Sequence, residues 1–478
     1  MEEQKKLNTI QRIIKNTLSL LIGNVISNFL GFVAIVYLAR VLGPGFFGKI
    51  NFAIAIVAYF IFIANMGLPL VGTRGIARDK EKTNDYLSAI LTLRLCLAAL
   101  SFGLLLLITF FLIKPLETKY LIIIYGLELI PSALFLGWAF QGIERMEYIG
   151  LGRILGGGVY LGLVLWLIKS PEQLLLVPCF QVADRLIVAG MLIFIFSRLF
   201  SKPRFGLSSV SLKSIFRQAL PIGLTGFLSV IIYYLDTVML GFMKSNEEVG
   251  YYNAAYKIIL LLVMIITTYH DSVFPVISNY YKNSLDSFKK LQSYTTKLMV
   301  TFALPLGVGG TILARKLINV IYGVEYGRAT IALQILIWAC ALIFINTAYS
   351  RGLFATNREK ECLEIVTMQA VIAIILNFIL IPPLGLVGAS VATVLGETCG
   401  LLMYYRALGK IINLSIHNYI FKPLFASVIM GLFLWISFDW NLFLLVIGGV
   451  SIFLAILYLT KGINIEEIRL LKKAISRV

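Results

Sequence analysis

The chain has 478 residues, of which 59% are hydrophobic and only 14% charged. That much apolar side chain excludes a soluble globular protein, and no polar stretch exceeds roughly 20 residues, which excludes an appended catalytic domain of ordinary size. The net charge of +18 invites a nucleic-acid reading, but its distribution, set out below, points to a membrane.

Apolar runs of the roughly 20 residues needed to cross a bilayer follow one another almost end to end. They are predicted at 17–39, 47–70, 86–113, 119–141, 148–168, 173–197, 215–240, 249–274, 296–320, 328–349, 362–382, 385–407, 419–437 and 440–460. Backbone groups in hydrocarbon must be satisfied within the segment, so these are helices. The fold class expected is all-α integral membrane with about 14 spans. The first run is long enough to be a retained span, so no cleaved leader is expected. With the N-terminus inside, about 30 of the 42 basic residues fall on one side and about 9 on the other. They include Lys5, Arg12, Arg74, Arg78, Arg145, Arg198, Lys289, Lys290 and Arg406. Such asymmetry places both termini in the cytoplasm of a multi-pass cell-membrane protein. The surplus charge then meets anionic lipid headgroups, not nucleic acid. The tail sets Ile465, Ile468, Leu471 and Ile475 on one face and Arg469, Lys472, Lys473 and Arg477 around the others. That is the pattern of a helix lying on the membrane surface.

A faint internal repeat divides the chain. Leu42-Gly43, a loop, and Gly48-Lys49-Ile50-Asn51-Phe52-Ala53 match Leu240-Gly241, a loop, and Gly250-Tyr251-Tyr252-Asn253-Ala254-Ala255. An even number of spans separates the copies, so they share one orientation, one of the recurring plans of secondary transporters. The expected organisation is residues 1–205 (spans one to six), 206–412 (spans seven to twelve) and 413–478 (two extra spans and the tail), with a site between the halves.

Cys96, Cys179, Cys340, Cys362 and Cys399 stand singly in apolar runs, as packing thiols do, and only His270 and His417 exist. No metal-ligand spacing or His-based triad is present, so neither metal nor cofactor is expected. His270-Asp271 has the look of a metal dyad, but its place near a span end favours solvation. Gly156-Gly157-Gly158 and Gly307-Val308-Gly309-Gly310 lack the Lys-Ser/Thr of a phosphate loop; close helix approach is the simpler reading.

Ionisable groups at membrane depth are costly and mark pathways or buried pairs. Arg94, Glu128, Asp184, Arg185, Asp236, Lys257 and Glu397 qualify. Lys257 and Asn253 share a helix face, beside Tyr252 and Tyr256. A cation among amide and phenol groups suits a phosphate or a sugar; pairing with Asp236, or snorkelling, is the alternative. Asp236 either pairs or titrates. Arg94 can offset Glu128, and Asp184 and Arg185, about 100° apart on a helix, need not pair. Asn24 and Asn28 form a polar stripe that lines a lumen or bonds between helices, as do Thr393 and Glu397.

The chain resembles the polysaccharide (O-antigen-type) flippases of the multidrug/oligosaccharidyl-lipid/polysaccharide (MOP) exporter superfamily. Four stretches carry the likeness: LARVLGPGFFGKINFA (38–53), GLPLVGTRGIAR (67–78), YYLDTVMLGFMKSNEEVGYYNAAYK (233–257) and IPPLGLVGASVATVLGE (381–397). The resemblance implies two six-helix lobes around a central cationic cavity, with two C-terminal helices added. It implies a non-enzymatic carrier that moves a polyprenyl-diphosphate-linked oligosaccharide to the outer leaflet by alternating access. Lys257 and Arg74 would then attract the diphosphate, and Tyr252, Asn253 and Tyr256 would contact sugar. Asp236, Asp184, Glu128 and Glu397 would be charge pairs or couple H+ or Na+. Other polysaccharide-assembly membrane proteins are possible partners. Related lipid II flippases carry basic residues in the first span, where this chain has Asn24 and Asn28. A lipid II flippase, an organic-cation antiporter, a glycan polymerase or ligase, and a scaffold remain the alternatives.

Overall fold

The structure, a computed structural model, describes residues 9–200, 210–412 and 417–462. The surface helix expected at 463–478 lies outside them, as does the side chain of His417. The described residues contain helices and no strand. Thirteen helices or helix groups are long and apolar enough to span a membrane. The first, Leu18–Arg78, runs for 61 residues, about 90 Å at the helical rise, which is two spans. The count of about 14 spans thus follows, and their bounds track the apolar runs.

By its contacts the chain forms two compact units, Met1–Val238 and Met239–Val478. In the first, α1 (Thr9–Asn65) is broken at Gly43, whose φ of 75° leaves the helical region. It stops at Met66 and Gly67, with φ of 34° and 73°, and the chain turns into α2 (Leu68–Arg78). At Gly67 a Cβ would also stand 2.6 Å from the Ala219 carbonyl oxygen, so both conformation and space require glycine. The unit continues with α3 (Thr83–Phe111), α4 (Leu116–Gly126), α5 (Leu129–Leu134), α6 (Gly137–Gly142), α7 (Glu147–Leu167) and α8 (Leu176–Leu199). The single span expected at 119–141 is therefore three short helices. Pro131, which lacks a backbone donor, lies in the first turn of α5 after one break, and Gly137 opens α6 after the other. Helix α9 (Leu212–Met243) packs on this unit as far as Val238: Gly226 lies under Phe62, and Tyr59 meets Tyr234 edge-on at 6.3 Å. Leu87, Ile90, Trp138, Phe140 and Phe196 form the core.

The second unit holds α10 (Asn246–Asn283), α11 (Leu285–Ile321), α12 (Ala329–Ala355), α13 (Glu359–Leu384), α14 (Leu386–Gly409), α15 (His417–Ile436) and α16 (Leu442–Leu459). The spans expected at 249–274 and 296–320 are longer than their apolar runs, at 38 and 37 residues. Each extends about 56 Å, against a hydrocarbon core of about 30 Å, so both project beyond it. Ser284 joins them and caps α11 by accepting from the Ser287 amide at 3.3 Å. The two final helices lay Met430, Leu434, Phe453 and Leu457 against Leu313 of α11. Phe110, Trp166, Trp435 and Phe443 stand 72–76% exposed, a surface that suits lipid and not water.

The repeat has a structural counterpart. Asn51 donates its amide to the Phe47 carbonyl at 2.8 Å, and Asn253 to Val249 at 2.9 Å, each just after a helix break. Both are 4% exposed. Of the glycine strings, Gly156, Gly307 and Gly310 serve close packing, as expected, whereas Gly158 meets nothing within 4 Å. A Cβ on Gly23 would lie 2.5 Å from the Gly150 Cα, so α1 and α7 touch backbone to backbone. A Cβ on Gly156 would lie 2.1 Å from Asp184 Oδ1, and Gly307 sits under Trp338. Cys340 and Cys362 are buried, whereas Cys96 and Cys179 are exposed and not the packing thiols expected.

Candidate functional site

In the first unit the charges resolve into two networks. Arg94 of α3 is 2% exposed. Its guanidinium donates to Asn65 Oδ1 at 2.6 and 3.1 Å, to the Phe135 carbonyl at 2.8 Å, and to the Ser132 carbonyl. It thus serves the backbone oxygens freed where the helix breaks between α5 and α6. The expected offset with Glu128 is corrected: Arg94 is held by neutral oxygens on α1 and the break. Glu128, between α4 and α5, instead accepts from Arg185 Nε at 3.0 Å and Gln181 Nε2 at 3.2 Å, both on α8. Asp184 stays 4.0 Å from Arg185 and packs over Gly156. Asn65 and Gln181, both polar residues in apolar runs, were the partners that the sequence did not flag.

Arg74 of α2 is exposed, with no hydrogen-bond or ion-pair partner among the described residues of its unit. Nearby, Lys82 bonds Asp79 at 2.9 Å and holds that carboxyl below its usual range, so the aspartate is already neutralised. Asn24 keeps a buried Oδ1 without a partner, whereas Asn28 is exposed and engaged. Asp236 of α9 is half-buried, within electrostatic reach of Tyr59.

In the second unit Lys257 is the distinctive group. It lies eleven residues into α10, about 17 Å along the helix. It is half-buried, and within its own unit its ammonium has no hydrogen-bond or ion-pair partner among the described residues. Tyr252 and Tyr256 stack at 5.7 Å. Tyr252 is 1% exposed, and Asn253 spends its amide on Val249. Both side chains are thus covered by protein in this structure. Tyr256 is half-buried beside Lys257. Asp271 is exposed and bonds Arg351 Nη2 at 2.6 Å. His270 is buried, not solvated, and rests edge-on against Tyr269. Among the described residues no group of three or more His, Cys, Asp or Glu could hold a metal. Glu397 of α14 accepts from Asn346 Nδ2 at 2.7 Å. Asn346, in an apolar run of α12, was not anticipated.

The helix order, the break between the first two spans, the broken fourth span and the buried polar networks define a polytopic helical membrane protein. Its fold is that of the lipid II flippase MurJ in an inward closed conformation, with a TM-score of 0.77 at 17% identity over 91% of this chain and 97% of that one. An inward-facing multidrug transporter of the MATE family, in the MOP superfamily, gives a TM-score of 0.64 at 16% identity, covering 83% and 98%. At such identities the likeness concerns the fold. A family model described as "Polysaccharide biosynthesis protein" matches residues 13–281. A putative O-antigen transporter of Escherichia coli (strain K12) is 26% identical over 77% of this chain and 91% of its own length. A probable flippase, AglR, of Haloferax volcanii is 27% identical over 82% of each chain. The chain belongs to the polysaccharide biosynthesis protein family.

Proposed function

We propose that the protein moves a polyprenyl-diphosphate-linked oligosaccharide from the cytoplasmic to the outer leaflet by alternating access. The observation that carries this reading is the half-buried Lys257 ammonium, uncompensated within its unit at membrane depth. A cation kept there without a carboxylate is costly unless an anion visits it. A diphosphate is such an anion, and charge-assisted bonds from the ammonium replace part of its hydration. Tyr256, half-buried on the same helix one residue before Lys257, would contact the adjoining sugar. Arg74, exposed and unpaired in its own unit, is the first contact on the side where basic residues concentrate.

The glycan is too polar to cross hydrocarbon unaided, whereas the prenyl tail can stay in lipid. The task needs no covalent step. The names of the relatives, transporters and flippases, accord with that. The charge asymmetry supports a cell-membrane location with both termini cytoplasmic. Coupling to H+ or Na+ falls to a carboxylate that no basic side chain holds; Arg185 holds Glu128, whereas Glu397 has only the Asn346 amide among the described residues of its unit. Asn24, with an unpartnered buried oxygen, supports a polar lining on α1. Other polysaccharide-assembly membrane proteins would supply and consume the lipid-linked glycan.

The test uses proteoliposomes loaded with a defined lipid-linked oligosaccharide. Wild type accelerates its appearance in the opposite leaflet, and Lys257→Ala slows it at least tenfold. Equal rates would remove Lys257 from the mechanism. Transport of lipid II or of organic cations, with none of the oligosaccharide, would replace the substrate assignment.

A further inference from the structure

Glu397 is the counterpart of Lys257 in the second unit, an acid without a cation. It lies eleven residues into the 24-residue helix α14, about 17 Å from its start and near mid-span. Among the described residues of that unit no Lys, Arg or His pairs with it. Asn346 of α12 donates Nδ2 both to Oε2 at 2.7 Å and to the Glu397 carbonyl at 2.9 Å. Asn346 is 6% exposed, and its Oδ1 is buried with no partner. From α13, Gln369 reaches the Gly396 carbonyl at 3.4 Å. On α14 itself, Tyr404 is within electrostatic reach two turns on. Helix α10 adds no charged partner.

An isolated carboxylate at this depth is costly, and a proton removes the charge. The protonated carboxyl is a donor. Asn346 already holds an acceptor, Oδ1, that nothing else satisfies. Half a rotation of the amide exchanges Nδ2 for Oδ1. The pair therefore has two hydrogen-bonded forms, amide to carboxylate and carboxyl to amide, the second giving up the amide's bond to the Glu397 carbonyl. A metal cation needs a cage of oxygens, and here the side chains meet as a pair.

We propose that Glu397 is a proton-binding carboxyl, with Asn346 as the positioning residue that turns from donor to acceptor when the proton arrives. We further infer that the proton there favours the diphosphate at Lys257; this second part rests on the function proposed above. The Leu386 amide bonds Glu248 Oε2 at 2.8 Å and ties the starts of α10 and α14 together. From that tie Lys257 lies about 14 Å along one helix and Glu397 about 17 Å along the other. A negative charge on Glu397 thus opposes an anion at nearly its own depth.

The experiment follows the protonated-carboxyl band of the full-length protein in lipid nanodiscs by pH-titrated infrared difference spectroscopy. Wild type shows a titrating band that Glu397→Gln lacks; this variant keeps an acceptor for Asn346. Asn346→Ala moves the midpoint to higher pH by about 1 unit, because the carboxylate loses a charge-assisted bond that is stronger than the neutral one the carboxyl loses. Should Glu397→Gln fail to fold, the Asn346→Ala midpoint decides alone. An unchanged band in Glu397→Gln, an unmoved midpoint in Asn346→Ala, or loss of the band on adding sodium at fixed pH would overturn the proton site. Pyrophosphate binding by calorimetry tests the linkage. Wild type binds several-fold tighter at mildly acidic than at mildly alkaline pH, beyond the ratio measured for Glu397→Gln. Equal ratios overturn the linkage. Undiminished binding by Lys257→Ala overturns the function proposed above and leaves the carboxyl result standing.

Discussion

Replacing Arg94 by Met tests whether one guanidinium holds the broken helix together. The side chain is 2% exposed and bonds Asn65 Oδ1, the Phe135 carbonyl and the Ser132 carbonyl. Ser132 also accepts from the Phe135 amide at 3.3 Å, so it keeps a donor. Asn65 Oδ1 and the Phe135 oxygen are left without their Arg94 donor, inside a membrane protein. Hydrogen bonds to a charged group contribute about 1.5–3 kcal/mol each, so Arg94→Met should cost about 3–5 kcal/mol. Arg94→Lys keeps the charge but not the fork, and should cost about half as much. Removing Asn65 Oδ1 as well, in Arg94→Met with Asn65→Leu, should restore part of the loss, because one orphaned acceptor disappears. Reversible unfolding in mixed micelles reads all four proteins. If Arg94→Met lies within about 1 kcal/mol of wild type, the break is held by packing and the reasoning fails.

Other predictions use the same assay. Gly150→Val should cost about 1–3 kcal/mol, since its Cβ would lie 2.5 Å from the Ser19 carbonyl oxygen. Gly158→Ala, where nothing stands within 4 Å, should be neutral or stabilise by up to about 1 kcal/mol; a reversed order would refute the α1–α7 contact. Asn51→Leu and Asn253→Leu should lower stability by similar amounts, about 1 kcal/mol each. A large loss from one with none from the other would deny the two copies a common role.

The spans were legible because their signal is local. Hydrophobic length is a property of each segment, and it located the spans to within a few residues, apart from the polar extensions of α10 and α11, the end of α12 at Ala355, the turn at Met66-Gly67 and the breaks at 126–137. Those breaks had a local trace in Pro131 and Gly137, but a run of apolar residues masks it. The repeated Asn51 and Asn253 were visible as a pattern, and the structure gave them one role, a bond to the carbonyl four residues back. Lys257 stood out for the same reason, as a charge where hydrocarbon length forbids one.

Partner choice was a different matter. A charge in a span must be answered, but which neighbour answers depends on how deep and at what rotation two helices meet. Contacts such as Gly23 on Gly150 and Asp184 on Gly156 fix those quantities, and they belong to pairs of helices far apart in sequence. Hence Arg94 met Asn65 instead of Glu128, Glu128 met Arg185, and His270 was covered instead of wet. The amino-acid order decided what crosses the bilayer and which charges needed company. Helix packing decided who supplied it, and which of them, Lys257 and Glu397, kept no opposite charge among the described residues of their own half.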